Sequence, residues 1–308
     1  MIQEIDTLFQ DQLQSWPRLA RGVEGLKNAQ TRPVTIDWFD VFIRHIPHRV
    51  ASTTAAVDPE SIAKRPCFLC AGNLDSEERG IPFNPDYTIY FNPFPIVNRH
   101  LTIVHREHTP QHIAGEVGAM LDIAAALPGY FVIYNGPECG ASAPDHMHFQ
   151  AGSRDLFPIE KDTAELQGMS GANVSPLGRN NQLMLVPNYA RNVLLFRDGF
   201  RSPLIDRVER AVELLSDVTR KRPEPLINIA VFHEGGRWTA YLFPREKHRP
   251  QVFHTGELTV SPASIDLCGI FVVPLEKDFT RINGTDIASI FREVSLSDEI
   301  LKEVVAQL

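Results

Sequence analysis

Two histidines and a glutamine occupy every second position of the stretch "HMHFQ", with Met147 and Phe149 between them. Successive side chains of a β-strand point to opposite faces, so the pattern predicts a strand with one polar and one apolar face. His146, His148 and Gln150 would share the polar face. An imidazole can act as a nucleophile, a base or a metal ligand near neutral pH, which makes this face the first candidate for chemistry. The alternative is a half-buried strand whose histidines have no chemical role.

A second group of reactive side chains comes earlier in the chain, where two residues separate Cys67 from Cys70. The chain has four cysteines in 308 residues, which is too few for a disulfide framework. In a reducing compartment a pair with this spacing is typical of metal-binding or redox-active sites, and two buried thiols are the alternative. The other two cysteines, Cys139 and Cys268, are predicted to be packing residues.

Composition and charge limit the classes of protein to which the chain can belong. A hydrophobic fraction of 43% and a charged fraction of 22% are typical of a globular protein with a substantial core. The formal net charge of −8 argues against general binding to nucleic acid, although a local pocket can still be basic. Residues 1–22 lack the pattern of a signal peptide, and no apolar stretch is long enough to span a membrane. We therefore expect a soluble, cytoplasmic protein.

The elements that must position these side chains can be predicted from local patterns. Residues 87–91 and 100–105 have the composition of two strands, separated by a turn rich in proline and asparagine. The segment "TPQHIAGEVGAMLDIAAALPG" predicts a helix that begins with Thr109 as its N-cap. Residues 130–135 predict a further strand, and a glycine-bearing loop at 136–145 connects it to the histidine strand.

The second half of the chain shows a similar order of elements. Residues 154–178 are predicted to be loop-like, and strands follow near 181–187 and 192–199. A long helix is predicted from Ser202 as its N-cap, followed by a hairpin that turns at Gly235-Gly236. A last strand and one or two helices would close the chain.

Both halves therefore run strand, helix, strand, strand. This order suggests a diverged duplication, in which Tyr241 and Phe243 would take the places of the two histidines. We expect an α+β fold with antiparallel sheets flanked by helices. Residues 1–155 would form a catalytic half with the CxxC and HxHxQ motifs, and residues 156–308 a degenerate half that contacts substrate.

The ordered set "CFLC", "HLTIVHREH" and "NGPECGASAPDHMHFQ" resembles one branch of the histidine triad superfamily. That branch contains the galactose-1-phosphate uridylyltransferases, the diadenosine tetraphosphate phosphorylases and the GDP-hexose phosphorylases. The overall likeness is greatest to bacterial members that are classed as a domain of unknown function. The resemblance implies two halves with the histidine triad fold.

The resemblance also implies roles for individual residues. His148 would be the nucleophile that attacks the α-phosphorus of a nucleotide, and Gln150 would hold a phosphate oxygen and favour transfer over hydrolysis. An uncharged imidazole suits this role, because its ordinary pKa is about 6.5. The substrate-binding residues would be Asn135, Gly140 and Ser142 for phosphate oxygens, Asn92 and Phe94 for the ribose and base, and Arg245 and Lys247 for a further phosphate.

A structural zinc ion is the cofactor that the resemblance implies. Its ligands would be Cys67, Cys70, His108 and His146, with His105 and His112 as alternatives to His108. Two thiolates and two imidazoles suit a closed tetrahedral zinc site.

The predicted function is that of a nucleotidyltransferase or phosphorylase acting through a nucleotidyl-histidine intermediate. The donor would be a nucleotide sugar or a dinucleoside polyphosphate, and the acceptor phosphate or a sugar 1-phosphate. Two alternatives remain: a zinc-stabilised nucleotide-binding regulatory protein without turnover, and a nucleotide hydrolase. We expect a monomer or homodimer with no nucleic acid or membrane partner, and the sequence leaves the base, the sugar and the acceptor open.

Overall fold

The computed structural model describes residues 1–154, 157–168, 183–185 and 189–308. The strands in these ranges are β1 (Gln30–Ile36), β2 (Phe39–His45), β3 (Ile81–Pro82), β4 (Tyr87–Phe91), β5 (Leu101–His105), β6 (Tyr130–Asn135), β7 (His148–Ser153), β8 (Leu183–Leu185), β9 (Leu194–Asp198), β10 (Ile227–Glu234), β11 (Arg237–Pro244) and β12 (Ile270–Val273). The helices are α1 (Ile2–Ser15), α2 (Pro17–Lys27), α3 (Val50–Thr53), α4 (Pro59–Ala63), α5 (Val117–Ala126), α6 (Pro158–Gly168), α7 (Arg201–Thr219), α8 (Gln251–His254), α9 (Ser264–Leu267), α10 (Glu276–Arg281), α11 (Gly284–Val294) and α12 (Asp298–Val305).

Nine of the described strands form one sheet in the order β3-β4-β5-β7-β6-β10-β11-β9-β8. All neighbouring strands in it are antiparallel. The halves of the chain join at its centre, where β6 pairs with β10 and Asn135 lies opposite Asn228. From this junction outwards the order is β6-β7-β5-β4 on one side and β10-β11-β9-β8 on the other. This is the order that a duplication predicts, and the common origin of the halves stays a prediction.

Two hydrophobic cores lie on the two faces of the large sheet. On one face, helices such as α5 and α7 pack against alternate strand residues, including Val132, Phe149 and Ala151. On the other face, the core combines Ile133 and Phe243 with residues of a small sheet. Because both faces are covered, the β6 segment is apolar at nearly every position, whereas β7 is apolar only on its helix-facing side.

The small sheet has the order β1-β2-β12, and it differs from the prediction in one respect. β1 and β2 form an antiparallel hairpin, but β12 lies parallel to β2. The prediction of an α+β fold is confirmed, and the expectation of antiparallel sheets holds for the large sheet only. Within the described ranges, no helix is both long and apolar enough to cross a lipid bilayer.

The helix predicted to begin at Thr109 begins instead at Val117. The backbone carbonyl of Thr109 accepts a hydrogen bond from the amide of Met147 at 2.7 Å, and the amide of Gln111 donates to Pro144 at 3.2 Å. The proline and threonine that resemble a helix start therefore lie in an irregular segment that is hydrogen-bonded to the histidine segment. Tertiary hydrogen bonds override the local capping signal here.

Other boundaries also differ from the prediction in detail. The region predicted as a loop at 154–178 contains α6, while its residues 169–178 lie outside the described residues. Part of the predicted strand at 181–187 is also outside them. Helix α7, which is the long helix predicted in the second half of the chain, begins at Arg201, one residue before its predicted N-cap Ser202. The hairpin turn is confirmed at Gly235 and Gly236, whose φ angles of +56° and +74° suit glycine.

Candidate active site and metal centre

Four side chains that are distant in sequence meet where the chain enters β7. The ligand atoms of Cys67, Cys70, His108 and His146 all lie within 4.8 Å of one another. The Sγ atom of Cys67 is 3.3 Å from Nδ1 of His146, and the Sγ atom of Cys70 is 3.2 Å from Nδ1 of His108. These separations are those of atoms that share one tetrahedral ion. The group can therefore hold a metal, and its two sulfur and two nitrogen donors match the preference of zinc.

The tautomer of His146 fits the same interpretation. Its Nε2 lies 2.7 Å from the backbone carbonyl of His105, which can only accept a hydrogen bond. Nε2 must therefore carry the proton, which leaves the lone pair on Nδ1 directed at the sulfur atoms. His105 thus contributes its carbonyl to the support of the cluster, whereas its ring and that of His112 are outside the four-residue group.

His148 is the first residue of β7 and is only 3% exposed. Its Nδ1 lies 2.8 Å from the backbone carbonyl of His146, so Nδ1 carries the proton and Nε2 carries a free lone pair. Burial lowers the pKa of His148 to about 4, and the hydrogen bond to His146 only partly opposes this effect. The imidazole is therefore uncharged at neutral pH, in a single tautomer and orientation.

Gln111 fixes the backbone around His148, a role that the sequence did not reveal. Its Oε1 accepts the amide proton of His148 at 2.8 Å, and its Nε2 donates to the carbonyls of His148 and Asn135 at 3.0 Å each. The side chain is fully buried. The regular pairing of β6 with β7 ends at Ile133 and Gln150, and the side chain of Gln111 connects the two strands past that point.

Gln150 lies two residues after His148 on the same face of β7, as predicted. Its Oε1 lies 2.9 Å from Nε2 of His100. Nδ1 of His100 accepts the amide proton of Ile96 at 3.2 Å, so Nε2 is the protonated nitrogen and donates to Gln150. Burial, with a smaller effect of Arg49, lowers the pKa of His100 to about 3, so it stays uncharged. The amide NH2 group of Gln150 is thereby left to donate elsewhere.

Hydrogen bonds also fix the orientation of the side-chain amide of Asn135, which lies at the end of β6. Its Oδ1 accepts hydrogen bonds from Nδ2 of Asn228 at 2.8 Å and from the backbone amide and hydroxyl of Ser264 at 3.0 and 2.7 Å. The oxygen is occupied by three donors, whereas the NH2 group has no hydrogen-bond partner among the described residues. Asn228 and Ser264 belong to the second half of the chain, and no sequence pattern indicated their role.

Five predicted site residues line one cavity of about 80 Å³, which we call the central cavity. It lies between the second face of the large sheet and the layer that contains the small sheet. In the loop after β6, Gly140 has a φ of +100°, and a Cβ atom there would lie 2.7 Å from the Cβ of Ala263. Only glycine fits this position. The five residues are Asn92, Asn135, Gly140, Ser142 and Gln150.

Asn92 also lines a second, mostly apolar cavity of about 340 Å³, which we call the side cavity. Its walls include Leu19, Val23 and Leu26 of the N-terminal region. Phe94, which was predicted beside Asn92, lies outside both described linings, and its ring packs at 4.9 Å from the guanidinium carbon of Arg18.

Arg245 and Lys247, which were predicted to bind a further phosphate, do not line the central cavity. Arg245 is buried, and its guanidinium donates to Oδ1 of Asn228 and to the carbonyls of Pro262, Val294, Lys247 and His248. It supports Asn228, and through it Asn135, instead of facing the central cavity. Lys247 forms an ion pair with Glu293 at 3.2 Å near the surface.

Two sequence families match consecutive parts of the chain. Residues 8–153 match the family described as "Domain of unknown function (DUF4922)", and residues 166–308 match "GDPGP1-like, C-terminal domain". A galactose-1-phosphate uridylyltransferase of Bifidobacterium longum is 35% identical over 74 residues, which are 23% of this chain and 14% of that protein. The enzyme of the same name from Caldanaerobacter subterraneus is 32% identical over 115 residues, which are 32% of this chain and 22% of that protein. The matches thus span less than a quarter of these relatives.

The fold as a whole is similar to that of yeast Ap4A phosphorylase Apa2, solved in complex with AMP. The TM-score is 0.63 at 15% sequence identity, and the likeness covers 95% of this chain and 96% of that chain. The family matches cover both halves, and the uridylyltransferase relatives share part of the sequence. The sequence and fold comparisons support the resemblance of the chain to the branch of the histidine triad superfamily that includes the galactose-1-phosphate uridylyltransferases and the diadenosine tetraphosphate phosphorylases.

Proposed function

We propose that this chain is a nucleotidyltransferase or phosphorylase that carries a nucleoside monophosphate on His148. One observation supports this more than any other: the hydrogen bond from Nδ1 of His148 to the carbonyl of His146 at 2.8 Å. It leaves Nε2 as the free nucleophile in a fixed orientation. A structural or merely ligand-binding role would not need this arrangement.

In the first step, the lone pair of Nε2 attacks the α-phosphorus of the donor. A phosphorus–nitrogen bond forms, and the bond from phosphorus to the bridging oxygen breaks. The leaving phosphate departs with the electron pair of that bond, and it needs no proton because it is a stable anion. The proton on Nδ1 stays in place, so the modified ring is positively charged. The carbonyl of His146 stabilises that charge.

The oxygen atoms of the transferred phosphoryl group need hydrogen-bond donors, because negative charge is spread over them during the reaction. The NH2 groups of Gln150 and Asn135 are free to donate, since His100, Asn228 and Ser264 occupy the oxygens of the two amides. Ser142 lines the central cavity together with these two amides and would be a third donor. These donors are uncharged and are held in position before substrate binds.

In the second step, an oxygen of the acceptor attacks the same phosphorus, and the electron pair of the phosphorus–nitrogen bond returns to Nε2. The acceptor would be inorganic phosphate or a sugar 1-phosphate. The amide of Gln150 cannot take a proton from water at neutral pH, which favours transfer over hydrolysis.

The donor would be a nucleotide sugar or a dinucleoside polyphosphate. The relatives are named as uridylyltransferases, and the structure of similar fold is named as an Ap4A phosphorylase with bound AMP. The side cavity suits the nucleoside, because it is mostly apolar and shares Asn92 with the central cavity. In this proposal residues 1–155 form the catalytic half, and residues 156–308 support it through Asn228 and Ser264.

We further propose that the metal of the cysteine–histidine group is zinc, bound by Cys67, Cys70, His108 and His146. A bound zinc ion would cross-link the segments before β7 and fix the position of His146. Four protein ligands leave no position for substrate, so the role of the ion is structural.

The test is the detection of the covalent intermediate by intact-protein mass spectrometry. The protein is incubated with nucleoside diphosphate glucoses and with diadenosine tetraphosphate, each without an acceptor. We expect a mass increase of one nucleoside monophosphate that is lost in acid, as for a phosphoramidate. His148→Ala should show no increase, whereas His233→Ala, which changes a histidine of β10, should react like the wild type. Nucleotide binding without an adduct on the wild type would support a regulatory protein and contradict the proposal.

A further inference from the structure

A buried acid from the second half of the chain lies behind the candidate active site. Glu224 stands between α7 and β10 and is 9% exposed, and it is outside the linings of the central and side cavities. Within the described part of the chain it forms no ion pair with a cation, and burial raises the pKa of its carboxyl group to about 7. Burying an acid without a cation is costly to the folded state, and groups of this kind cluster at functional sites.

Both oxygens of Glu224 accept hydrogen bonds from the catalytic half. Oε2 accepts the backbone amide of Ile113 at 2.6 Å, and Oε1 accepts the hydroxyl of Tyr134 at 2.8 Å. Ile113 lies two residues after Gln111, and Tyr134 precedes Asn135 at the end of β6. The carboxylate therefore connects the segment that carries Gln111 to the strand that carries Asn135.

The segment 109–113 belongs to no helix or strand, so its position depends on individual contacts. At its start, the carbonyl of Thr109 accepts the amide proton of Met147 at 2.7 Å. At its end, the side chain of Ile113 enters the helix-side core and the amide of the same residue donates to Glu224. Glu224 is therefore the polar anchor at the end of this segment.

Gln111 transmits the position of the segment to the nucleophile. Its side chain accepts the amide proton of His148 at 2.8 Å and donates to the carbonyl of His148 at 3.0 Å. Because the side chain of Gln111 is fully buried and bound at both ends, a shift of its backbone displaces the backbone of His148. The direction of Nε2 changes with it, since the bond from Nδ1 to the carbonyl of His146 sets the ring.

We propose that Glu224 is a positioning residue, which aligns Nε2 of His148 with the donor through Gln111. The inference rests on the proposed function, and it gives the second half of the chain a part in the geometry of the nucleophile. The alignment requires an acceptor for the amide of Ile113 and does not require a negative charge.

An uncharged polar group of the same shape can make the same contacts. When Glu224 is protonated, its hydroxyl can donate to the oxygen of Tyr134, and Tyr134 can donate to the carbonyl of Gln111, which is 3.3 Å away. Oε2 still accepts from Ile113. The amide introduced by Glu224→Gln offers the same donor and acceptor, so this variant should keep the alignment. Glu224→Leu removes both acceptors and should lose it.

The first test measures the rate of adduct formation on His148 as a function of donor concentration in single turnovers. The donor is whichever of the nucleoside diphosphate glucoses and diadenosine tetraphosphate forms the adduct. In Glu224→Leu the rate at saturating donor should fall by about tenfold or more, as for a misplaced reacting atom. The Kd of the donor should stay within about threefold, since Glu224 lines neither cavity. Glu224→Gln should restore the rate to within about threefold of the wild type.

The matched control is Asp278→Leu, which also replaces a buried acid by an apolar side chain. Asp278 is fully buried, and its Oδ2 accepts the amide of Thr259 at 2.8 Å, but it is outside the lining of the central cavity. This variant should lose stability and still form the adduct at the wild-type rate, because the loss of a buried acid elsewhere does not move His148.

The second test follows hydrogen exchange of the backbone amide of His148 by NMR, without any reaction. In Glu224→Leu this amide should exchange about tenfold faster or more relative to the amides of β11, whereas Glu224→Gln and Asp278→Leu should keep the wild-type ratio. A purely structural role would speed the exchange of both sets of amides equally. Glu224→Ala, which lets water into the space, should change both readouts in the same direction and replaces Glu224→Leu if that variant does not fold.

A wild-type adduct rate and a wild-type exchange ratio in Glu224→Leu would overturn the inference and leave the proposed function standing. No adduct on the wild-type protein, together with the expected change in the exchange ratio, would contradict the proposed function and support the effect of Glu224 on His148.

Discussion

The backbone carbonyl of His146 accepts the Nδ1 proton of His148 at 2.8 Å, while the ring of His146 lies 3.3 Å from the sulfur of Cys67. One residue therefore belongs to the metal-binding group through its side chain and to the candidate active site through its backbone. A metal that fixes the ring also fixes the carbonyl that sets the tautomer of His148. The stability of the cluster and the orientation of the nucleophile are thus coupled.

The first prediction concerns this coupling. We expect about one equivalent of zinc per chain and its loss in Cys70→Ala, because a three-ligand site binds zinc more weakly. The variant should lose about 4 kcal/mol of unfolding free energy and should form the His148 adduct more slowly. Plasma mass spectrometry of protein purified without chelators measures the metal, and denaturant titration measures stability. Cys268→Ala, which removes a buried thiol outside the cluster, should keep its zinc. Full zinc content in Cys70→Ala would contradict the ligand assignment.

The face of β7 was predictable because it depends on a short-range pattern, whereas the cluster was predictable only through the family resemblance. Alternation places Met147 and Phe149 in the helix-side core and leaves His148 and Gln150 on the opposite face. The ligand set follows from the spacing of cysteines and histidines that the resemblance supplied, and the structure brings those four residues together.

The residues that the sequence did not reveal share a different property. Gln111, Asn228 and Ser264 act through hydrogen bonds to residues that are 24 to 129 positions away in the chain. Such bonds depend on how β6, β7 and β10 pack together in the fold. The helix and strand periodicities of the sequence do not predict this packing. Gln111 was misread for the same reason, since it lies in a segment that resembles the start of a helix.

The second prediction concerns Asn135, whose free NH2 group is expected to face the phosphoryl oxygens. Asn135→Asp keeps the shape and the oxygen that accepts from Asn228 and Ser264, but it replaces the donor by an acceptor. We expect the rate of adduct formation to fall by about 100-fold or more, as for the loss of a donor to developing charge. Rapid-quench measurement of adduct formation tests this, with circular dichroism as a check on folding. A rate within about threefold of the wild type would show that Asn135 only supports the loop.

The third prediction concerns the pH dependence of stability. Burial holds the pKa of His100 and of His248 at about 3, below the value of about 6.5 for an unfolded chain. Between these values the unfolded state binds more protons than the folded state, so the free energy of unfolding falls as the pH is lowered. Each group contributes a slope of about 1.4 kcal/mol per pH unit below pH 6.

His100→Asn should remove one such contribution, so its stability should fall less steeply than that of the wild type between pH 5.5 and 4.5, by about 1.4 kcal/mol per pH unit. The comparison of slopes is independent of the constant loss caused by breaking the bond to Gln150. Denaturant titrations at several pH values give the slopes. His254→Asn, which changes an exposed histidine at the end of α8, should have the wild-type slope. Parallel curves for His100→Asn and the wild type would mean that His100 titrates normally.

The last prediction concerns Gln150, whose oxygen is engaged by Nε2 of His100 at 2.9 Å. An amide held in this way cannot pass a proton to or from water, whereas an imidazole at the same position can. Gln150→His should therefore speed hydrolysis of the nucleotidyl-His148 intermediate relative to transfer, and should raise the ratio of nucleoside monophosphate to transfer product by about tenfold or more. The ratio is measured by chromatography after single turnover at a fixed acceptor concentration. Gln150→Asn keeps the amide but shortens the side chain, so it separates loss of positioning from gain of proton transfer. This variant should form both products more slowly, with their ratio unchanged. An unchanged ratio in Gln150→His with retained activity would mean that Gln150 only positions the phosphate, and that another feature keeps water from the intermediate.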